Sequence, residues 1–413
     1  MATVAPFPGL RPRRDVAHLV ASPPYDVLSS EEAREMAKGN ELSFLHVNKP
    51  EIDLPPETDP YDDAVYAKGR ENLQRLIKEG VLRRDAGPCY YLYAQTWGDH
   101  RQVGLVAGAS VQEYIDDKIK KHELTREEKE RDRIRHIETL GAQAGPVFLT
   151  YRARPEIDKE LATIQETEPE YDFTGEDGIR HTFWVIASRL RREMISNLFR
   201  KVPLLYVADG HHRSASATLI AQKRRVENPD FTGREPWNYF LSVIFPHDQL
   251  KILPYNRVVS ELNGLSLEQF LEKVERSFYV AKADGALAPN RPKVFGMYLA
   301  GKWYRLEPKD GYDPDDPVGS LDVAILQNNL LGPILGIEDP RKDKRIDFVG
   351  GIRGLGELER RVDSGEMKVA FSLHPTTVEQ LLAIADAGKI MPPKSTWFEP
   401  KLRSGLVVHM IDE

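Results

Sequence analysis

The stretch VPLLYVADGHHRSASATLIAQ, residues 202–222, places an apolar run and a helix-like run on either side of one glycine. The residues before Asp209 are apolar and rich in β-formers, which predicts a buried strand. Gly210 permits a tight turn, and the small and apolar residues from His211 onward predict a helix. A strand, a turn and a helix in this order favour an α/β fold.

The same turn is the sharpest candidate for a ligand site. The first backbone N–H groups of a helix have no intrahelical acceptor and attract anions. The residues that we predict to hold phosphate here are Gly210, His211, His212 and Arg213. Asp209 offers a carboxylate for Mg²⁺ or for a hydroxyl proton. The alternative is an ordinary surface helix that Asp209 caps, with solvated histidines.

A second candidate is the charged segment IKKHELTREEKERDRIRHIETL, residues 119–140. Thr125 and Glu128 have the spacing of a capping box, which predicts a long helix from that point. His122 and Glu123 precede its entrance, and we predict Glu123 as the leading general base. Four residues of the helix share one face: Lys129, Asp132, Arg133 and His136. The alternative for this face is solvated surface.

The segment SPPYDV, residues 22–27, holds a third acidic candidate. Two prolines forbid helix ahead of Tyr25 and Asp26, and Ser29 with Glu32 predicts a capped helix just after them. Asp26 is therefore held rigidly and suits a general base or a magnesium ligand. It suits a helix cap equally well.

The loop PPKSTWFEPKLRSG, residues 392–405, collects cations and hydroxyls between prolines. Such a loop can close over nucleotide phosphates, and Trp397 can stack on a base. The residues that we predict to bind phosphate or nucleotide here are Lys394, Ser395, Thr396, Lys401 and Arg403. It lacks the glycines of a P-loop. The alternative is a basic loop that satisfies a domain interface.

Composition limits the classes of function. The 413 residues carry 57 basic and 64 acidic side chains, a net charge of −7, which removes the electrostatic argument for bulk nucleic-acid or membrane binding. Cys89 is the single cysteine, which favours a reducing compartment. The N-terminus lacks a signal-peptide pattern, and no apolar run of about 18 residues occurs. We therefore expect a cytoplasmic protein.

The length and the alternation of predicted elements favour two α/β domains. We place the first at residues 1–248, with the HELT and DGHHR motifs, and the second at residues 249–413, with the PPKSTWFEPK loop. Residues 89–97 and 102–111 form a predicted hairpin in the first domain.

Several motifs carry a resemblance to known proteins. The string ADGHHR, residues 208–213, resembles the DGHHR element of ParB/sulfiredoxin-like phosphate-binding folds, among them the archaeal free serine kinases. Nearly the whole chain is similar to the domain of unknown function 1015 family. The segments that carry this likeness are SPPYDV, SFLHVNKPE, HELTREEKERDR, ADGHHR, YNRVV and MPPKSTWFEPKLRSGL. The resemblance implies a ParB/sulfiredoxin-like nucleotide-binding domain in the N-terminal part.

The combination of anion-binding elements and carboxylates favours a small-molecule kinase, because positioning and charge neutralisation supply most of the rate of phosphoryl transfer. We expect ATP or ADP as donor, Mg²⁺ as cofactor and a hydroxyl such as that of serine as acceptor. Glu123 or Asp26 would deprotonate the acceptor, beside His122, and Asp209 would help to hold Mg²⁺. If the chain assembles, we expect a homodimer.

Two other functions stay open at this point. The first is a nucleotide-binding regulatory or sensor protein of the ParB-like type, without catalysis. The second is a metal hydrolase with His122, His211 and His212 as ligands. The hydrolase ranks last, because adjacent histidines on a helix point about 100° apart and rarely share one ion.

Overall fold

The computed structural model describes residues 2–412, which form two compact units. Unit 1 comprises Met1–Leu250 together with Pro400–Glu413, and unit 2 comprises Lys251–Glu399. Both units mix helices with sheets, so the protein has the α/β (α+β) fold class that the sequence favours.

The helices are numbered in chain order. They are α1 Ala17–Val20, α2 Ser30–Ala37, α3 Leu45–Asn48, α4 Asp63–Lys78, α5 Val111–Ile115, α6 Glu127–Leu140, α7 Pro155–Gln165, α8 Arg189–Phe199, α9 His211–Glu227, α10 Leu267–Ser277, α11 Asp322–Leu326, α12 Gly354–Asp363 and α13 Val378–Asp386. Short 3-10 turns span Tyr25–Val27, Pro50–Asp53, Pro236–Asn238, His247–Gln249 and Gly351–Arg353, and a π-helical turn spans Gln327–Leu331. Within residues 2–412, none of the helices has the length and apolar character needed to cross a membrane.

The strands are numbered in the same way. They are β1 Val4–Ala5, β2 Leu10–Pro12, β3 Leu82–Arg84, β4 Tyr90–Trp97, β5 His100–Ser110, β6 Ile119–Lys120, β7 Ala142–Gln143, β8 Val147–Tyr151, β9 Tyr171–Thr174, β10 Arg180–Ile186, β11 Leu205–Asp209, β12 Tyr239–Pro246, β13 Lys251–Leu253, β14 Tyr255–Val259, β15 Phe278–Lys282, β16 Phe295–Leu299, β17 Lys302–Pro308, β18 Ile346–Gly350, β19 Val369–Leu373, β20 Trp397–Glu399 and β21 His409–Met410.

A mixed sheet forms the centre of unit 1. Its strand order is β6-β11-β8-β12-β5-β4-β10-β9, and β1 pairs with β5 beside this path. The pairs β6/β11 and β8/β12 are parallel, whereas the other neighbours are antiparallel. The predicted hairpin is confirmed as β4 and β5, whose closing pair is Trp97 and His100.

The two faces of the sheet bury different side chains, because neighbouring residues of a strand point to opposite faces. On β4, Tyr90 and Leu92 belong to the main apolar cluster, which α7, α8 and α9 cover. Tyr91 lies on the other face and stacks on Phe183 with ring centroids 5.5 Å apart. The helices contribute Ile157, Leu161, Ile164, Ile195, Phe199, Ala217, Ile220 and Ala221 to the cluster.

The end of β11 carries an irregularity beside the candidate site. Val207 pairs with Leu149, yet Asp209 pairs with Phe148, so the register shifts between these two positions. A bulge of this kind bends a strand and redirects the side chain that follows it. Here it sets the direction of Asp209 just before the chain enters α9.

The C-terminal segment returns to unit 1 after the chain has formed unit 2. Ser404 exchanges two backbone hydrogen bonds with Ser22, and Val408 exchanges two with Leu10. The last strand, β21, then pairs with β7. These ladders hold the tail against the first part of the chain over most of its length.

Unit 2 is built on an antiparallel sheet with the order β15-β17-β16-β19-β14-β18. Leu358 and Val362 of α12 pack against Val258 and Ala370 of the sheet. A two-stranded ladder joins β13 to β20. The predicted strand–helix alternation of this half of the chain is therefore present within unit 2.

Two local expectations differ from the structure, and one is confirmed. The capping box of Ser29 and Glu32 is formed at the start of α2. The second predicted box is wrong: α6 begins after Arg126, which has no side-chain cap, and the Thr125 hydroxyl donates to Glu130 instead. The run SFLHVNKP, residues 43–50, has a pattern that predicts a short strand ending at His46 and Asn48, but this segment forms a helical turn, α3.

Gly405 tests the packing of the returning tail. Its φ of +87° and a Cβ position 2.7 Å from Cβ of buried Phe44 leave no room for a side chain. We expect Gly405→Ala to lower the free energy of unfolding by about 1–3 kcal/mol through crowding and backbone strain. Gly39→Ala is the matched control, because Gly39 also has positive φ but open space around it. Urea denaturation should show the larger loss for Gly405→Ala, and equal losses would contradict the packing argument.

Candidate active site

The turn between β11 and α9 presents unpaired backbone donors. Gly210 precedes α9 with a φ of +94°, and no side chain caps the helix. The N–H groups of residues 211–213 consequently have no intrahelical acceptor. A Cβ at Gly210 would lie 3.4 Å from the backbone of Val147, so glycine suits both the conformation and the close approach. This end of α9 can accept an anion.

Asp209 stands at the strand end and forms an ion pair with the returning tail. Its Oδ2 lies 2.8 Å from Nζ of Lys401, and its Oδ1 accepts from the N–H of Gly210 at 2.8 Å. Burial raises the pKa of Asp209, but the charges of Lys401 and Arg213 outweigh burial and hold this pKa well below its ordinary range. Asp209 is therefore a permanent anion at neutral pH and a poor proton acceptor.

Two buried glutamines position Lys401. Gln95 of β4 donates from Nε2 to the carbonyl of Lys401 at 2.8 Å, and Gln102 of β5 donates to Oε1 of Gln95 at 2.9 Å. Gln95 and Gln102 face each other across the hairpin. Since both amides are fully buried, they fix the backbone of Lys401 relative to the sheet.

Arg213 already has protein partners in the structure. Its Nη2 donates to both oxygens of Asp26, at 2.8 and 2.7 Å, and its Nη1 donates to the carbonyl of Pro146 at 2.8 Å. The side chain is about one-tenth exposed, whereas that of Asp26 is about two-fifths exposed. Arg213 thus holds a carboxylate of the chain where the sequence predicted a phosphate, and a phosphate would have to share it.

Tyr25 lies between two guanidinium groups. The guanidinium carbon of Arg133 is 3.8 Å from the centre of the Tyr25 ring, and that of Arg213 is 5.4 Å from it. Burial raises the pKa of the Tyr25 hydroxyl, while Arg133 opposes that shift. The ring therefore stays neutral and serves as a stacking surface for both cations.

The charged face of α6 points into unit 1. Asp132, Arg133 and His136 are each more than nine-tenths buried, so the solvated-surface alternative is wrong for them. Asp132 accepts from the Tyr66 hydroxyl at 2.8 Å and pairs with Arg133 at 2.8 Å. Lys129, at the edge of this face, donates to the Tyr61 hydroxyl.

Two buried histidines meet behind the turn. The rings of His122 and His211 contact edge to face with centroids 4.4 Å apart. Burial lowers the pKa of His211 to about 4, although Asp209 opposes the shift. Burial, followed by the proximity of His211, also lowers the pKa of His122. Both rings are neutral at physiological pH.

The other two carboxylate candidates lie near His212. Burial lowers the pKa of His212, and the charges of Glu123 and Asp26 oppose that shift, so both carboxylates are within electrostatic range of its ring. Nε2 of His212 accepts the backbone N–H of Arg126 at 3.1 Å, just ahead of α6. The charges of Glu123 and Asp26 thus both influence His212, the second residue of α9.

The remaining predicted cations fall into separate places. Arg403 lies in unit 1, where it donates to Nε2 of His181 at 3.3 Å and pairs with Asp177. Arg403 therefore contacts His181 and Asp177, whereas Asp209 pairs with Lys401. The residues Lys394, Ser395 and Thr396 belong to unit 2. There the Ser395 hydroxyl donates to the carbonyl of Pro392 at 2.5 Å.

Buried polar atoms without hydrogen-bond partners are concentrated at this site. Among the described residues, nine such side-chain atoms occur, and seven belong to six residues around the turn: Ser22, Asn48, His122, His211, Arg213 and Ser404. Unsatisfied buried polar groups are costly and therefore rare in ordinary structural regions. A ligand or ordered water bound at this site would satisfy them.

Sequence reasoning did not assign several of these residues. Ser22, Asn48 and Ser404 lie inside quoted motifs, but a serine or an asparagine by itself indicates no chemistry. Gln95 and Gln102 lie on a strand pattern, where they look like ordinary polar positions. Only the ladders between distant segments reveal that these groups converge, so no local signal could have identified them.

The part of the chain that the structure describes contains no cluster of three or more histidine, cysteine, aspartate or glutamate side chains placed to hold a metal ion. Asp209 offers one carboxylate, and Lys401 occupies one of its oxygens. Mg²⁺ commonly binds through one or two carboxylates plus the phosphates of a substrate. The residues present therefore fit Mg²⁺ only if Asp209 and the phosphates of a bound nucleotide hold the ion together.

Comparisons with known proteins give one family. The family model described as "Protein of unknown function (DUF1015)" matches residues 4–324. No curated protein matches the chain.

Solved structures give distant matches only. A free serine kinase in complex with AMP is 16% identical with a TM-score of 0.34, covering 68% of this chain and 84% of that one. SbnI with a C-terminal truncation, from Staphylococcus aureus, is 13% identical with a TM-score of 0.39, covering 74% and 87%. A conserved hypothetical protein from Pyrococcus furiosus is 16% identical with a TM-score of 0.34, covering 68% and 87%.

The buried histidine pair predicts a pH dependence of stability. A histidine whose native pKa is about 4 and whose ordinary value is 6.5 stabilises the fold fully above pH 6.5. That contribution is lost as the pH falls toward 4, by about 2 kcal/mol at pH 5 for His211. We expect His211→Gln to bind about one proton fewer on unfolding in this range. Urea denaturation between pH 7 and pH 5 measures the slope, with exposed His18→Gln as control, and an unchanged slope in His211→Gln would refute the assignment.

Proposed function

Because this chain belongs to the family described as Protein of unknown function (DUF1015), whose name states no activity, we propose its function from the geometry of the site. We propose a phosphotransferase that moves the terminal phosphoryl group of ATP or ADP to the hydroxyl of a small molecule. The observation that carries the proposal is the Lys401–Asp209 pair beside the uncapped N-terminus of α9.

The phosphate-binding part of the proposal rests on donors that are already in place. The backbone N–H groups of residues 211–213 and the positive end of the α9 dipole attract negative charge. Lys401 adds a cation whose backbone the buried glutamines hold. Donors that need no rearrangement stabilise the charge of a transferring phosphoryl group most effectively.

A base for the acceptor hydroxyl is available from two carboxylates. The charges of Glu123 and Asp26 both raise the pKa of His212, and we propose that the acceptor hydroxyl binds near His212 and gives its proton to one of them. Both oxygens of Asp26 already accept hydrogen bonds from Arg213, so they are less available to an acceptor hydroxyl. We therefore keep Glu123 as the base and give Asp26 the role of positioning Arg213.

Phosphoryl transfer balances with these groups. The acceptor oxygen forms a bond to the terminal phosphorus, and the bond from that phosphorus to its bridging oxygen breaks. The hydroxyl proton passes to Glu123, while Lys401 and the α9 N–H groups neutralise the charge that develops on the nucleotide. Mg²⁺, when bound with the nucleotide through Asp209, would supply further charge neutralisation.

The acceptor that we place first is serine, since the ADGHHR motif at residues 208–213 resembles that of free serine kinases. Other small hydroxylated amino acids belong to the same test. The regulatory alternative, a nucleotide sensor of the ParB-like type, uses the same phosphate site without Glu123.

The phosphate site is tested with Lys401→Met. The change removes the cation that pairs with Asp209 and leaves a side chain of similar length, so we expect binding of ATP or ADP to weaken about 10–100-fold. Lys223→Met is the matched control, because Lys223 pairs with Glu138 at 2.7 Å on the exposed side of α9. Calorimetric titration measures both. Equal affinity of Lys401→Met and the wild type would remove Lys401 from the nucleotide site.

The base is tested with Glu123→Gln. The variant keeps the shape of the side chain but cannot accept the proton, so we expect nucleotide binding to persist and phosphoryl transfer to fall by about 10²–10⁴-fold. Mass-detected product from ATP or ADP with a panel of hydroxylated amino acids gives the rate. Asp26→Asn is the comparison, with a smaller expected loss.

The outcomes separate the alternatives. A fully active Glu123→Gln protein would transfer the base role to Asp26. A wild-type protein that binds nucleotide tightly and phosphorylates nothing on the panel would favour the regulatory alternative over the kinase.

A further inference from the structure

A small cavity lies behind Arg213 inside unit 1. Its volume is about 30 Å³, and its polar lining includes Tyr25, Asn48, Arg133, Gln143 and Arg213. A space of this size holds one or two waters or one small ion. Its lining contains none of His211, His212 and Lys401, so the cavity is distinct from the phosphate site proposed at the start of α9.

The cavity is lined by donors that lack acceptors. Nε of Arg213 and Nδ2 of Asn48 are both buried and have no hydrogen-bond partner among the described residues. Only 3% of Asn48 is exposed to solvent. Arg133 also lines the cavity and directs Nε and Nη2 to Asp132. Two N–H donors, on Arg213 and Asn48, thus line one cavity without a partner within residues 2–412.

The other polar groups of the lining are already occupied. The Gln143 amide donates to the carbonyl of Tyr239 at 3.1 Å and accepts from the N–H of Leu241 at 2.5 Å. His136 donates from Nε2 to the carbonyl of Val47 at 2.9 Å. The two lining atoms without a partner in the described part of the chain, Nε of Arg213 and Nδ2 of Asn48, are both donors. A group that only accepts hydrogen bonds therefore matches this lining.

The charges around the cavity favour an anion. Arg133 is neutralised by buried Asp132, whereas the ion-pair partner of Arg213 is Asp26, whose side chain is about two-fifths exposed. The charge of Asp26 is screened by water, whereas that of Arg213 is not. An anion in the cavity would add a negative charge beside the buried guanidinium and would accept from Nε of Arg213 and Nδ2 of Asn48.

We propose that this cavity binds a small monovalent anion of the size of a halide, nitrate or formate. The anion bridges Nε of Arg213 and Nδ2 of Asn48 and holds the Arg213 guanidinium in the orientation that pairs with Asp26. The site requires neither nucleotide nor turnover, so it stands whether or not the kinase proposal does. Free anion in solution is the source, because the cavity is too small for the rest of a larger molecule.

Thermal denaturation without nucleotide tests the site. Sodium bromide or chloride replaces sodium gluconate at constant ionic strength, since gluconate is too large for the cavity. We expect a saturable rise in melting temperature of about 3–6 °C at ten times the dissociation constant. Asn48→Asp puts a negative charge in the cavity and should abolish the rise. Asn228→Asp, the same change at an exposed position, should keep it.

Further measurements keep the test decisive. If Asn48→Asp fails to fold, Asn48→Ala should still lower the apparent anion affinity at least about 10-fold. Lys401→Met should retain the anion response even where it loses nucleotide binding, which separates the two proposals. Bromide-soaked crystals should show anomalous density within hydrogen-bonding distance of Nε of Arg213. Identical melting in bromide and gluconate, or density at crystal concentrations without any saturable shift in solution, would overturn the proposal.

Discussion

The ion pair between Asp209 and Lys401 is the contact on which the site depends. Its two partners are separated by 192 positions in the chain and meet because the tail returns to unit 1 after unit 2 has formed. The register shift at the end of β11 directs the carboxylate, and Gln95 holds the lysine backbone. Without the pair, a permanent anion would face the N-terminus of α9 with no cation beside it.

Desolvation explains most of the electrostatics around that pair. Burial keeps His122 and His211 neutral, and it forces the guanidinium groups to find aromatic or carboxylate partners. Tyr25 provides the ring for both Arg133 and Arg213. Several buried donors near this turn therefore have no hydrogen-bond partner among the described residues. Such donors lower the stability of the fold unless a bound ligand or ion accepts their hydrogen bonds.

The local parts of this arrangement follow from the sequence. The hairpin of β4 and β5 and the capping box of α2 obey short-range rules of hydrogen bonding and side-chain alternation, and both are present. The prediction at Thr125 is wrong, because its hydroxyl found a side-chain acceptor in Glu130 instead of the backbone donor that a cap requires. The turn at residue 46 is helical although its composition resembles a strand, because buried Phe44 and Val47 pack within an apolar cluster.

The sequence by itself determined the α/β class, the strand–turn–helix around Gly210 and the candidate carboxylates, since each depends on residues a few positions apart. The tertiary structure alone decided which cation meets which anion. Lys401 pairs with Asp209 and Arg213 pairs with Asp26, while the nearby Lys394 belongs to unit 2. The physical reason is that long-range ladders such as Ser22 with Ser404 set these distances, and no local pattern encodes the pairing of segments hundreds of residues apart.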